Sequence, residues 1–251
     1  MFLEMERDFF ISMLEDEDDA NASIALRELL NAPDLDDLIA EHQDSDNPLV
    51  RRRIHQLASM KNRRELMEEF PKKLNSGGYS NWEAMATVNV ILDPRTSFQQ
   101  LDDMLPELLD NDLTPICSTK EFCDTIRGLE FAVDETSDNF IVKYLLGDTM
   151  TNFNGDPLLV AVVCQQLGFL CKWKTTLGRI DGKVCLLDRR DNICSLHPDD
   201  PNLRLNLLHF KPISVRELAI EVIGKIHSAA CIDLVTSVFV DTRTLLEAIL
   251  A

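Results

Sequence analysis

The sequence has few residues that break or loosen a chain. Only 9 of its 251 residues are glycine and 10 are proline, which argues against long low-complexity segments. No stretch approaches the roughly eighteen apolar residues that a membrane-spanning helix needs. Residues 1–19 lack the basic segment that opens a signal peptide. We therefore expect a globular protein of the cytoplasm that does not bind membranes.

Positive charge is also scarce. The chain has 25 lysines and arginines against 43 aspartates and glutamates, a formal net charge of −18. Such a chain repels phosphate backbones and anionic lipids, so we expect no nucleic-acid partner. Basic partners and cations remain open. The sequence leaves the oligomeric state open.

The cysteines show no metal-binding or redox spacing. There are seven, an odd number, and none forms a Cys-x-x-Cys pair. Cys164 lies within an apolar run, which is typical of a buried free thiol in a reducing cytoplasm. A disulfide between Cys171 and Cys185 is not expected there. Cys194 and His197 are close in sequence, but no further residues are spaced to complete a metal site with them.

Two charged runs are interpreted as structural. The acidic run 15–19 lacks the glycine and the terminal glutamate of a calcium loop, so it is interpreted as a solvated turn. The cluster Arg51-Arg52-Arg53 points in different directions on a helix. Ion pairs within the protein are therefore expected for it rather than phosphate binding.

Apolar residues at helical spacing predict helices through the first half of the chain. The turn before Val50-Arg51 faintly resembles a HEAT-type helical repeat, but there is no second copy, and an irregular helical subdomain is the alternative. Gly77-Gly78 is interpreted as a hinge. Ser118 and Glu121 have the spacing of a capping box. The predicted helices cover 2–14, 21–30, a segment around 35–39, 49–60, 64–74, 82–92, 98–109 and a segment from 118 onward.

The pattern changes after residue 138. A helix is predicted over Phe140–Met150, and a second, almost entirely apolar one over Pro157–Leu167, closed by Gly168. Asp181-Gly182 then predicts a hairpin between strands within 169–180 and 183–188. A third short strand over 192–196 and helices over 214–232 and 242–250 complete the chain.

Three sequence features of the segment 139–196 together form a pattern typical of a known fold. They are the turn Asn154-Gly155-Asp156-Pro157-Leu158, the preceding helix Tyr144-Leu145-Leu146 with Asp148, and the strand that ends in Leu187-Asp188. Together they resemble the transglutaminase-like core of the bacterial SirB-type family. The resemblance implies a cysteine at the start of the buried helix, a histidine on the adjacent strand and an aspartate or asparagine on the next strand.

Most of that catalytic set is missing from this chain. Pro157 or Leu158 occupies the helix start, and the strand segment 172–178 contains no histidine. Only Asp188 matches, at the third position. The resemblance therefore implies a catalytically silent version of the fold, because acyl transfer needs a thiolate beside an imidazole.

These observations predict an α+β fold that is predominantly α. A helical region over 1–112 would precede a transglutaminase-like, cysteine-protease-like domain over 113–251, which has a short antiparallel sheet and C-terminal helices. No metal or other cofactor is expected. The predicted function is a non-catalytic interaction or regulatory module whose partner is another protein.

The candidate cleft residues are Pro157, Leu158, Trp173 and Asp188, with core packing as the alternative for Trp173. A second hypothesis is a cysteine-dependent hydrolase or acyl transferase that uses Cys194, His197 and Asp188. A third is a small-ligand binding module.

Overall fold

The fold is predominantly helical with one small antiparallel sheet, as the sequence predicts. The computed structural model describes residues 4–133, 141–188, 193–195, 209–232 and 235–251. The chain forms two compact units, residues 1–68 and 69–251. The division predicted after residue 112 lies inside the second unit. None of the helices in the described ranges combines the length and apolar character needed to cross a bilayer.

The first unit is built from helices. They are α1 (Glu4–Met13), α2 (Asp19–Leu29), α3 (Leu35–His42) and the first part of α4 (Pro48–Asn75). The prediction of two helices over 49–60 and 64–74 is wrong, because α4 runs through both. Its i,i+4 ion pairs Lys61–Glu65 and Arg64–Glu68 bridge the expected break, and such pairs favour a continuous helix.

A buried arginine ties the turn after α1 to α4. The Arg53 side chain is only 6% exposed. Its guanidinium donates to the Leu14 carbonyl at 2.9 Å and to an Asp19 carboxylate oxygen at 3.1 Å. The expected intramolecular pairing of the arginine cluster is therefore confirmed for Arg53. Asp18 caps α2 by accepting from the Ala20 N–H at 2.9 Å, so this aspartate of the acidic run has a structural role.

The second unit contains the other helices. Ser80 with Glu83 and Ser97 with Gln100 form capping boxes at the starts of α5 and α6. The helix predicted over 140–150 is instead a 3₁₀ turn (Ile141–Tyr144) followed by a short α-helix. The α-helices of this unit within the described ranges are α5 (Asn81–Leu92), α6 (Phe98–Glu107), α7 (Thr119–Gly128), α8 (Leu146–Asn152), α9 (Pro157–Leu170), α10 (Val215–Ile232) and α11 (Thr236–Leu250).

The sheet in the described residues is built from short strands, and one of its edge strands has only two residues. Its strands are β3 (Thr175–Ile180), β4 (Lys183–Asp188), β5 (Ile193–Ser195) and β6 (Lys211–Pro212), after a separate parallel pair, β1 (Ala132–Val133) with β2 (Asn154–Gly155). The order is β5-β4-β3-β6, and all neighbours are antiparallel. Asp181 and Gly182 both have positive φ, 48° and 85°, which confirms the predicted hairpin turn.

Helix α9 is the buried centre of the second unit. Every residue from Leu158 to Cys164 is at most 1% exposed. The prediction that the helix closes at Gly168 is wrong, because Lys172 takes the left-handed position at φ 63°. The Trp173 N–H then donates to the Gly168 carbonyl at 2.7 Å, as in a Schellman motif. Consequently β3 begins only at Thr175, and 169–174 are not strand residues.

Candidate functional site

The start of α9 is where the resemblance places a catalytic thiol. Asp156 precedes the helix, is 4% exposed, and accepts from the Leu158 N–H at 2.9 Å. Pro157 is the first helical residue. Leu158 is fully buried and packs in the core. The helix start therefore presents a buried carboxylate, and Leu158 has no surface open to a cleft.

The Asp156 carboxylate belongs to a network of ion pairs between side chains. The Lys225 ammonium lies 2.8 Å from an Asp156 carboxylate oxygen and 3.1 Å from one of Glu221, and the Arg179 guanidinium contacts Glu221 at 2.6 Å. Burial alone would lower the pKa of Lys225, but the two carboxylates raise it above its usual value. Burial likewise opposes ionisation of Glu221, yet Arg179 and Lys225 hold the pKa of Glu221 below its usual value.

The start of α9 does not provide the environment that would activate a cysteine as a nucleophile. The positive end of a helix lowers the pKa of a thiol only where the thiol meets it, and here Asp156 occupies that position. Cys164 lies about two turns into α9, fully buried, and burial raises its pKa to about 12. Burial also raises the pKa of Cys185 to about 11. Both thiols are therefore protonated at neutral pH.

Asp188 lies toward the other end of α9. It is 5% exposed, pairs in register with Thr175, and accepts a hydrogen bond from the Thr119 hydroxyl at the start of α7. The Thr175 carbonyl accepts from Gln165 at 2.8 Å, a residue about two turns beyond Pro157. The structure therefore does not bring Asp188 to the helix start.

The remaining predicted site residues are separated or outside the described chain. Trp173 is half-buried and stacks on Phe122, with ring centroids 6.5 Å apart, so it packs against the core. Cys194 is the register partner of Leu186, but its side chain and all of His197 lie outside the described part. Among the described residues, no three histidine, cysteine, aspartate or glutamate side chains converge to hold a metal ion.

The hairpin does not place Cys171 and Cys185 opposite each other. Cys171 and Cys185 are both free thiols. Cys171 does not lie on a strand, since β3 starts at Thr175. Cys185 pairs in register with Gly178.

A groove of about 870 Å³ lies beside the first half of β3, and we call it the β3 groove. This volume is within the usual range for ligand sites, about 300–1,000 Å³. Its walls come from the end of α4, the start of α5, the second half of α9, β3 and the start of α10. The residues that line it are 74, 75, 77, 79–82, 165, 166, 169, 174–177 and 213–216.

Three aromatic residues line the β3 groove: Tyr79, Trp82 and Phe169. Phe169, near the end of α9, is 54% exposed, and the Lys174 ammonium lies 5.9 Å from its ring centroid. Tyr79 packs on Phe70, with ring centroids 5.4 Å apart. An exposed phenylalanine beside a groove offers an anchor for apolar side chains.

A chain of side-chain amides crosses the floor of the β3 groove. The Asn81 amide donates to the Gln165 side-chain carbonyl at 2.8 Å, and the Gln165 amide donates to the Thr175 carbonyl, also at 2.8 Å. These bonds connect α5, α9 and β3. The walls of the groove are thereby fixed relative to one another.

The charged residues that line the β3 groove are both positive, Lys174 and Arg216. Arg216 is held in place by bonds to the Asn75 side-chain carbonyl at 3.1 Å and the Ile249 backbone carbonyl at 2.8 Å. The nearby acid Glu217 is used as a cap, since it accepts from the Ser214 N–H, which lowers its pKa. In a chain of net charge −18, this concentration of positive charge favours an acidic ligand.

Sequence reasoning did not predict the β3 groove. Gly77, the first residue of the Gly77-Gly78 pair interpreted as a hinge, borders it and has a φ of 72°. Pro212 was the other available signal, because a proline within a strand marks an edge where pairing stops. Known proteins add nothing to this description: no family model, no curated protein and no solved structure matches the chain.

Proposed function

We propose that this protein is a non-catalytic interaction module that binds another protein through the β3 groove. The observation that carries the proposal is the groove itself: an open cleft with an exposed aromatic residue, only positive charges on its walls and a fixed polar floor. Such a combination is typical of recognition sites. The start of α9 supports a non-catalytic role, since the Asp156 carboxylate lies where the resemblance implies a cysteine thiol.

A transglutaminase-like origin is part of this proposal. It is supported by the order of elements, in which the buried helix α9 is followed by the antiparallel strands β3, β4 and β5. The position of Asp188, toward the far end of α9, does not support a working triad. We also propose that the protein acts in the cytoplasm, where exposed thiols such as Cys117 and Cys231 stay reduced.

Site-specific photo-crosslinking tests the proposal. A photoreactive phenylalanine analogue is placed at Phe169 in the groove or at Val240 on α11, which has a similar exposure of 53%. We expect discrete protein adducts from position 169 and none of the same mass from position 240. The adducts should weaken with Lys174→Glu and persist with Lys172→Glu, because Lys172 is exposed but does not line the groove. Identical adducts from both positions, or no adduct from 169, would contradict the proposal.

A further inference from the structure

The side chains of the β3 groove, not its backbone, are available to a ligand. The Leu177 carbonyl accepts from the Ile213 N–H at 3.0 Å, and the Thr175 carbonyl accepts from the Gln165 side-chain amide at 2.8 Å. The backbone acceptors of β3 on this side are therefore already used. A ligand in the groove is recognised by the side chains that surround it.

Two aromatic rings of the groove each have a lysine ammonium beside them. The Lys174 ammonium lies 5.9 Å from the centroid of the exposed Phe169 ring. The Lys73 ammonium lies 4.1 Å from the centroid of Tyr79, which lines the groove between α4 and α5. Cations are attracted to the faces of aromatic rings. The groove therefore offers a positive charge next to an apolar surface at two places.

A third cation, Arg216, lies at the start of α10, and we call Lys73, Lys174 and Arg216 the groove cations. Arg216 donates to the Asn75 side-chain carbonyl and the Ile249 backbone carbonyl, which are both neutral groups. Across the described ranges, none of the groove cations forms an ion pair with a carboxylate. Their charge is not neutralised within the protein.

The acids closest in sequence to the groove are used as helix caps. Glu83 accepts from the Ser80 N–H and Glu217 from the Ser214 N–H, both at 2.8 Å. Neither glutamate lines the groove. The more distant acids that give the chain its net charge of −18 act weakly here, because physiological salt screens charges beyond about 8 Å. A short ligand therefore experiences the groove cations more strongly than the overall negative charge.

The chemistry of the ligand follows from complementarity. Carboxylates complement the groove cations, and a large apolar side chain complements the exposed Phe169 ring. Because a cation and an aromatic ring lie together at two places, the ligand has to combine the two kinds of group within a short distance. A peptide segment with acidic residues on either side of an apolar residue has this arrangement.

We propose that the β3 groove binds an acidic linear segment of a partner protein, with a large apolar side chain between its carboxylates. This inference rests on the proposed function, since it names the chemistry of the segment that the interaction module would bind. Phe169 contacts the apolar side chain, and the groove cations contact the carboxylates.

Selection from a phage-displayed library of linear peptides tests the inference on the full chain. Selected peptides are synthesised with a fluorophore, and their affinities are measured by fluorescence polarisation. We expect them to be acidic, to contain a large apolar residue and to bind more weakly as salt is raised. Failure to select any peptide, or selection of neutral or basic ones, would overturn the inference.

Charge reversal with matched controls locates the binding site. Lys174→Glu and Lys73→Glu should each weaken the selected peptides about fivefold or more, because each removes an attraction and adds a repulsion. Lys172→Glu and Lys72→Glu make the same change in net charge at exposed positions that do not line the groove. They should change affinity about twofold at most. Equal effects of the two pairs would overturn the inference.

Truncation of the exposed ring tests the apolar contact. Phe169→Ala should weaken the selected peptides about tenfold, and Val240→Ala, at an exposed position on α11, should leave their affinity unchanged. Circular dichroism of each variant checks that it is folded. Unchanged affinity for Phe169→Ala would overturn the apolar part of the inference.

A charge swap separates recognition from a structural effect of the variants. Replacing one acidic residue of the peptide by lysine should weaken binding to wild type and, for at least one position, strengthen binding to Lys174→Glu. Absence of this rescue at every acidic position would overturn contact with Lys174. If adducts still formed at position 169 in that case, the proposed function would stand and only this inference would fall. Loss of those adducts would remove both.

Discussion

Removing the carboxylate of Asp156 should measurably destabilise the second unit. Its side chain makes two separable contributions: one oxygen caps α9 through the Leu158 N–H at 2.9 Å, and the other contacts Lys225 at 2.8 Å. Loss of a helix cap costs about 1 kcal/mol. Breaking a fully buried ion pair costs about 3–5 kcal/mol, and an exposed pair is worth about 0–1 kcal/mol.

The pair of Asp156 with Lys225 lies between these limits. The carboxylate side chain is 6% exposed and the lysine side chain 33%, so we assign the pair about 2 kcal/mol. Asp156→Ala loses both contributions, and its free energy of unfolding should fall by about 3 kcal/mol. Asp156→Asn keeps a capping oxygen and loses the charge, so it should cost about 2 kcal/mol.

Urea unfolding followed by tryptophan fluorescence is the assay. The two tryptophans, Trp82 and Trp173, both lie in the second unit, so the signal reports on that unit. A cycle with Lys225→Met isolates the ion pair, because the asparagine variant should then cost much less. Equal losses for Asp156→Ala and Asp156→Asn would refute the capping role. Wild-type stability in both variants would refute the structural account of the α9 start.

Three further predictions concern thiols, pH and the hairpin. Iodoacetamide at pH 8 should label the exposed Cys117 in the native protein and label Cys164 only after unfolding, as mass spectrometry would show; rapid native labelling of Cys164 would contradict its burial. The free energy of unfolding should fall as pH drops below about 5. The pKa of Glu221 is lower in the folded chain than in the unfolded chain, so its ionised carboxylate stabilises the fold and this stabilisation is lost as the carboxylate is protonated. The free energy of unfolding should also fall above a pH of about 10, because the Lys225 ammonium, whose pKa is raised in the folded chain, stabilises the fold only while it is protonated. Urea unfolding of Lys225→Met and wild type at a series of pH values would detect this alkaline loss. Identical pH dependence of the two proteins would contradict it. Gly182→Ala should cost about 1 kcal/mol, since φ is 85° there and an alanine would be strained; an unchanged melting temperature would contradict the requirement for glycine in this turn.

Local chemistry made several elements of this fold predictable. Asp181-Gly182 specifies a tight turn by itself, and Pro157 after Asp156 specifies a helix start, so both appear where the sequence predicts them. The end of α9 was not predictable in this way. Gly168 is a packing residue, since a Cβ there would lie 2.9 Å from the Phe122 ring, and a lysine takes the left-handed position that favours glycine.

The β3 groove depends on contacts between distant parts of the sequence. Asn81 bonds to Gln165 across 84 positions, and Arg216 bonds to Asn75 across 141. No periodicity or spacing in the sequence encodes such pairs. The short length of β6 likewise depends on where the chain turns into α10, which Pro212 alone does not specify. By contrast, the absence of a cysteine from the α9 start could be noted directly from the residues present.

The central claim is that a partner protein is bound at the β3 groove. Amide hydrogen exchange, measured on the full chain with and without an acidic peptide selected for binding from a phage-displayed library, tests it most directly. We predict that slowing on binding is concentrated in the groove-lining residues 174–177 and 213–216. Unchanged exchange in 174–177, with protection at another surface, would contradict the claim.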